Sequence, residues 1–157
     1  MEDRNPGPAG IKALLTPGQR ILGLDLGTKT IGLAISDMRW TLASPLYTIK
    51  RTKFTQDARE LLEVCAREKI GALVLGLPVE MDGTEGKRCQ STRQFTANLR
   101  PLTDLPVGYW DERLSTAAVQ RMMIDEMDMS RKKRAANVDK AAAAYILQGF
   151  LDAMART

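Results

Sequence analysis

The chain has 157 residues, 44% hydrophobic and 27% charged, with a net charge of +4, the composition of one ordinary globular domain large enough to bury a core. It contains no histidine, which excludes His-based triads, His zinc sites and imidazole acid–base chemistry and leaves catalysis to carboxylates, lysine or metal held by oxygen ligands. No apolar run approaches the roughly 20 residues of a membrane span and the first eight residues show no signal pattern, so a cytoplasmic protein with no membrane partner is expected, its positive charge a weak pointer to a polyanionic partner.

Residues 1–19, rich in Gly and Pro and without periodicity, read as a flexible N-terminal tail with one short ordered piece at 11–15. Residues 20–157 read as the folded domain. It opens with strands at 20–26 and 30–37, joined by a tight turn at Gly27 into an antiparallel hairpin. Alternation puts Leu22, Leu24 and Leu26 on one face of the first strand and Ile21, Gly23 and Asp25 on the other. A third strand is expected at 46–50, after Pro45. The pattern then predicts a helix over 55–69, with Ala58, Leu61, Leu62 and Cys65 on one face, Asp57 and Glu60 in its first turn and Gly71 closing it.

The run 72–76 is continuously apolar, the mark of a strand buried on both faces in a parallel sheet. A loop rich in turn residues covers 80–86. A helix over 87–100 follows, with Cys89, Thr92, Phe95, Thr96 and Leu99 on one side and Pro101 stopping it. A short strand at 106–110 runs into Asp111-Glu112-Arg113. Ser115 is the expected cap of a helix at 116–128, with Val119, Met122, Met123 and Met127 as its apolar stripe. A basic connector at 128–136 and a last helix at 138–155, capped by Asn137, complete the chain. Cys65 and Cys89 fall on helices among apolar neighbours and read as buried free thiols. The element order implies an α/β fold. Its sheet is mixed and five-stranded, an antiparallel three-strand meander plus parallel strands, flanked by helices.

Four carboxylates stand out. Asp25 lies inside an apolar strand, where a carboxylate is costly without a cation or hydrogen-bond donors. Asp111 and Glu112 follow a strand end, where α/β sheets present functional groups. Asp139 shares the small-residue face of the last helix with Ala142, Ala143, Ile146, Gly149, Phe150 and Ala153, so it points at the sheet. Carboxylates gathered at one point repel unless cations neutralise them, and an all-oxygen ligand set suits Mg²⁺ or Mn²⁺. Two such ions about 4 Å apart serve phosphodiester hydrolysis. Each residue also has an ordinary reading: Asp25 bonded to turn N–H groups, Asp139 complementing a helix terminus, Asp111 and Glu112 in a solvated turn paired with Arg113.

Four stretches resemble the motifs of the YqgF/RuvX family, in family order: Asp25-Leu26-Gly27-Thr28-Lys29-Thr30-Ile31-Gly32, then Val74-Leu75-Gly76-Leu77-Pro78 with Met81-Asp82-Gly83-Thr84-Glu85-Gly86, then Trp110-Asp111-Glu112-Arg113-Leu114-Ser115-Thr116, then Val138-Asp139-Lys140-Ala141-Ala142-Ala143. The resemblance implies an RNase H-like fold similar to Holliday-junction resolvases and a cytoplasmic nuclease with an acidic metal site. Its substrate would be nucleic acid, either the 5′ end of pre-16S ribosomal RNA, in contact with an assembling ribosomal particle, or branched DNA. Carried over residue by residue, the acidic triad falls on Asp25, Glu112 and Asp139, with Asp111 as a neighbour. Lys29 and Arg113 match positions placed to meet phosphate. Arg131, Lys132, Lys133 and Arg134 form a basic stretch fit to grip a nucleic-acid backbone, or else a solvated loop.

Two other classes compete. Asp-x-Gly-Thr in a hairpin also resembles the phosphate turn of actin-like ATPases and sugar kinases, but those proteins close two similar halves over a nucleotide and this chain has room for one. A non-catalytic nucleic-acid-binding factor acting in ribosome assembly or transcription would retain the acids for structure alone. A resolvase cuts two strands symmetrically and is expected as a homodimer, whereas an RNA-processing enzyme works as a monomer equally well.

Overall fold

The structure is a computed structural model that describes the backbone of residues 5–114 and 131–157, and the side chains of 5–114 and 140–157. The expected helix at 116–128 with its methionine stripe lies outside the described residues.

Five strands form one mixed sheet in the order β3-β2-β1-β4-β5. β1 (Arg20–Leu26) and β2 (Thr30–Ser36) make the antiparallel hairpin, and β3 (Ala43–Lys50) continues the meander. β4 (Ile70–Leu77) and β5 (Val107–Asp111) add in parallel on the other side of β1. Every residue of β4 is buried, as its unbroken apolar run requires of a strand covered on both faces. β3 is longer than expected and incorporates Pro45. A residue without an N–H is tolerated there because β3 is an edge strand and the ladder to β2 shifts register between Leu33 and Ala34.

On one face lie helix α2 (Phe54–Arg67) and helix α3 (Lys87–Leu99), over a core of Leu22, Leu24, Leu33, Leu61, Leu73, Leu75, Phe95 and Leu99. The residues buried on α3 are Cys89, Thr92, Phe95, Thr96 and Leu99, the side that its spacing picks out. On α2 the buried set is Asp57, Ala58, Leu61, Val64 and Cys65; Leu62 is only half-buried. The chain leaves α2 not through Gly71, which is already in β4, but through Lys69 in the left-handed region at φ 56°. Cys65 and Cys89 are both buried and unbridged.

The opposite face is covered by the last helix, α4 (Arg131–Ala155), which lies across β1, β2 and β3. It is helical from Arg131 onward, so 131–134 are helix rather than connector and Asn137 is interior rather than a cap. The physical reason is propensity: Arg, Lys and Ala are strong helix formers, and one Asn among them costs only a few tenths of a kcal/mol. The buried stripe of α4 is Ala142, Ala143, Ile146, Leu147, Phe150, Leu151 and Met154, with Ala153 at its half-buried edge. Within the N-terminal stretch, Pro8–Leu14 forms helix α1, which packs on α4. Its Ile11 is fully buried in the α4-side core, a contribution of about 1.5–3 kcal/mol, and Lys12 Nζ donates to the carbonyls of Met154 and Thr157 at 3.5 and 3.4 Å. No helix of the described residues is long and apolar enough to cross a membrane.

Candidate active site

Asp25 sits near the end of β1, the middle strand of the sheet, and is 3% exposed. It pairs across the hairpin with Gly32. On the other side, β1 pairs in parallel with β4 through Gly23 with Val74 and Leu24 with Leu75. The same register carried one residue further sets Asp25 beside Gly76. By alternation both project on the α4 face, where Ile21, Ala72 and Val74 pack.

Gly76 is what opens the space. A Cβ there would collide with the tip of Ile146 and would stand 3.2 Å from Glu112 Cγ. Gly76 therefore forms a floor with Asp25 along one side and Glu112 along the other. The two acids come from chain segments far apart in sequence and lie about two strand spacings apart. Glu112 follows β5 in a single 3₁₀ turn (Glu112–Leu114) and is half-buried. Its charge also helps push the Cys89 thiol up, behind burial and Glu85. Gly76 was not recognised in the sequence as a site residue, although a glycine beside a strand-borne carboxylate is the available signal.

Asp139 lies in α4, three and four residues before the buried Ala142 and Ala143; its side chain, like those of Arg131, Lys132, Lys133 and Arg134, lies outside the described residues. α4 itself comes very close to β1: a Cβ on Gly23 would be 2.8 Å from Leu147 Cβ and 3.2 Å from the Ala143 carbonyl oxygen. Among the described residues no three Asp, Glu or Cys side chains gather closely enough to hold a metal.

Asp111 is engaged elsewhere. Arg113 folds back on it, with Nη2 2.7 Å from Oδ2 and Nε 3.1 and 3.0 Å from the two oxygens, while the Arg113 N–H donates to Oδ1 at 2.9 Å. This grip holds the Asp111 carboxyl below its ordinary range. Asp111 and Arg113 thus close the turn after β5 with an ion pair. Arg113 is thereby occupied, beside the turn formed by Glu80–Thr84, in which Gly83 adopts φ 90° and Thr84 Oγ1 donates to Asp82 at 2.7 Å.

Lys29 is exposed in the β1–β2 turn. The turn is closed by Gly27 N–H to the Thr30 carbonyl at 2.8 Å and is held from outside by Arg51, whose backbone N–H donates to the Lys29 carbonyl at 2.9 Å and whose Nη1 donates to the Gly27 carbonyl at 2.6 Å. Nothing in the sequence pattern singled out Arg51, because its partner is a main-chain oxygen 24 residues away.

Comparison with known proteins agrees with this architecture. A sequence model of the family "RuvX: Holliday junction resolvase" matches residues 19–153. A protein of Paramagnetospirillum magneticum is 64% identical over 145 residues, covering 92% of this chain and 93% of that protein. One of Rhodospirillum rubrum is 63% identical over 142 residues, covering 90% and 88%. Both carry the name "Putative pre-16S rRNA nuclease". Among solved structures, T. thermophilus RuvC in complex with a Holliday junction substrate superposes with a TM-score of 0.52 at 14% identity, over 87% of this chain and 96% of that one. At that identity the likeness concerns the fold, which is RNase H-like.

Proposed function

Because this chain belongs to the RuvX family, we propose that it is a metal-dependent nuclease that hydrolyses phosphodiester bonds in the cytoplasm, with the 5′ end of pre-16S rRNA as its substrate and the assembling ribosomal particle as the setting. The observation that carries this reading is the placement of Asp25 and Glu112 on either side of Gly76. A strand-buried carboxylate facing a side-chain-free floor and a second carboxylate has the chemistry of a hard-cation site. Asp25 and Glu112, with Asp139 from α4, are the residues we assign to hold Mg²⁺ or Mn²⁺. All three offer only oxygen, which fits these ions. Bound there, the metal would supply charge neutralisation at the phosphate and an activated water. Asp25 and Glu112 fix where a phosphate must lie, and α4 closes the site from the other side. Asp111 belongs at most to the rim, because Arg113 already occupies it. Lys29, exposed at the turn, and Arg131, Lys132, Lys133 and Arg134 are assigned to the nucleic-acid backbone.

The name of the matching family supports a second reading, cleavage of a four-way DNA junction by a homodimer. One experiment separates them: a pre-16S RNA leader and a four-way junction are incubated in parallel with Mg²⁺, with Mn²⁺ and with chelator, using Asp25→Asn protein as the contamination control. Metal-dependent cutting of the RNA alone is the expected result. Paired symmetric nicks in the junction alone would establish the second reading. Asp25→Asn is expected to fold normally, since it relieves carboxylate repulsion, and to abolish cleavage. A variant that is unfolded at room temperature would make Asp25 a structural residue and end the assignment.

A further inference from the structure

The acids face α4, yet the same end of the sheet carries a second recess on the opposite face. A pocket of about 100 Å³ opens beneath the β1–β2 turn, between Gly27 and Thr28 on one wall, Arg51 on another, and Arg88, Ser91 and Thr92 of α3 on the third. We propose that this pocket seats a phosphodiester of the bound nucleic-acid strand next to the one being cut, gripped by Arg51 and Arg88.

The lining argues for an anion. It contains two guanidinium groups from unconnected elements, three hydroxyl residues (Thr28, Ser91 and Thr92), a main-chain turn, the apolar Leu26 and no carboxylate. Arg51 Nη1 is committed to the Gly27 carbonyl at 2.6 Å. That single bond orients the planar fork and leaves its other donors for a ligand, a geometry suited to phosphate oxygens. Arg88 is exposed, and among the described residues no hydrogen bond or ion pair engages its guanidinium. The neighbouring arginine of α3 behaves differently: Arg93 is bound by Glu85 through two contacts of 2.7 and 2.8 Å. Position supplies the occupant. Gly27 is two residues beyond Asp25, at most about 7 Å along the chain, so a nucleic-acid strand that leaves the acids and rounds this end of the sheet meets the turn and the pocket behind it. Two cations at a fixed distance from the carboxylates would set the direction in which the strand lies across the site.

The identity of the occupant rests on the nuclease reading, and the test keeps the two apart. Affinity for a single-stranded RNA leader is measured by fluorescence anisotropy across a salt series in the non-cleaving Asp25→Asn background, with and without Arg88→Ala. The variant is expected to bind about five- to tenfold more weakly at low salt, with the slope of log K against log salt reduced by about 0.7, one phosphate contact on a single strand. Arg88→Glu should weaken binding further, with unchanged circular dichroism in both variants. Unchanged affinity and slope in the folded Arg88→Ala protein overturn the phosphate seat, whatever the cleavage assay shows. Failure of the wild-type protein to cut, with the Arg88 effect on binding intact, overturns the nuclease reading and leaves the phosphate seat standing.

Discussion

Gly23→Ala tests the close approach of α4 to β1. The added Cβ would stand 2.8 Å from Leu147 Cβ, whereas carbons rest at about 3.5–4.0 Å. At least about 0.7 Å must therefore be found. Leu147 Cβ is fixed to its own backbone, so no rotamer change can yield it, and the Ala143 carbonyl oxygen at 3.2 Å blocks the other direction. α4 as a whole must lift off β1. Overpacking of this kind costs about 1–3 kcal/mol, offset in part by the loss of glycine's freedom in the unfolded chain, about 0.4–1 kcal/mol. A net loss of about 1–2 kcal/mol lowers Tm by roughly 2–8 °C in a chain of this size, so the protein stays folded at 25 °C. Cleavage should suffer more than stability. α4 carries Asp139, and a misplacement near 1 Å at a reacting centre costs up to about 100-fold; a drop of at least about tenfold in single-turnover rate is expected. The assays are thermal melts by circular dichroism and single-turnover cleavage with Mg²⁺. A variant as stable and as active as wild type would refute both the tight β1–α4 contact and the placement of α4 in the site.

Three further outcomes are expected. Gly76→Ala meets only movable tips, those of Ile146 and Glu112, so its melt should shift less than that of Gly23→Ala while metal-dependent cleavage falls about tenfold or more as Glu112 is displaced; full activity would remove Gly76 as the floor of the site. Asp111 has its folded-state carboxyl held low by Arg113, so its contribution to stability is complete above the ordinary Asp range and is lost as pH falls through the lowered value. Arg113→Ala should therefore flatten the acid limb of Tm against pH, and superimposable curves would count against the pairing. Burial pushes the Cys65 thiol up to about 12 and raises Cys89 as well, so a thiol reagent at pH 8 should find neither in the native protein and both after denaturation; rapid labelling of the folded protein would contradict their burial.

The elements most legible in the sequence are those whose pattern had one physical solution. β4 is an apolar run too short for a helix and too apolar for a half-exposed strand, and α3 shows a single buried stripe. α4 starts before its apparent cap Asn137 because the Arg, Lys and Ala residues ahead of it carry enough helix propensity to extend the helix to Arg131. α1 was underestimated because one Ile in a Gly/Pro-rich stretch carries no period, and its burial depends on a groove that α4 supplies. The site shows the same division. Asp25 is conspicuous because a carboxylate in a strand conflicts with its surroundings. The roles of Gly76 and Arg51 exist only through β1–β4 register and a main-chain carbonyl, neither of which a linear sequence displays. Asp111 and Arg113 were readable as a pair, and the pair is what the fold retains.

The strand order has a consequence for how the chain is made. The β1–β2–β3 meander closes through short turns, while β1 meets β4 only after a loop of roughly fifty residues has closed. A nascent chain therefore presents the meander first, with the β4 side of β1 as an open edge. The unpaired backbone groups of that edge, in a strand whose one face is Leu22, Leu24 and Leu26, would invite pairing with another emerging chain, and Asp25 on the other face is the inward-pointing charge that discourages it. The residue assigned to cutting would thus act earlier as a gatekeeper during synthesis. Asp25→Asn protein should then show more aggregation on refolding from denaturant than wild type at equal final stability, read by light scattering during the first seconds.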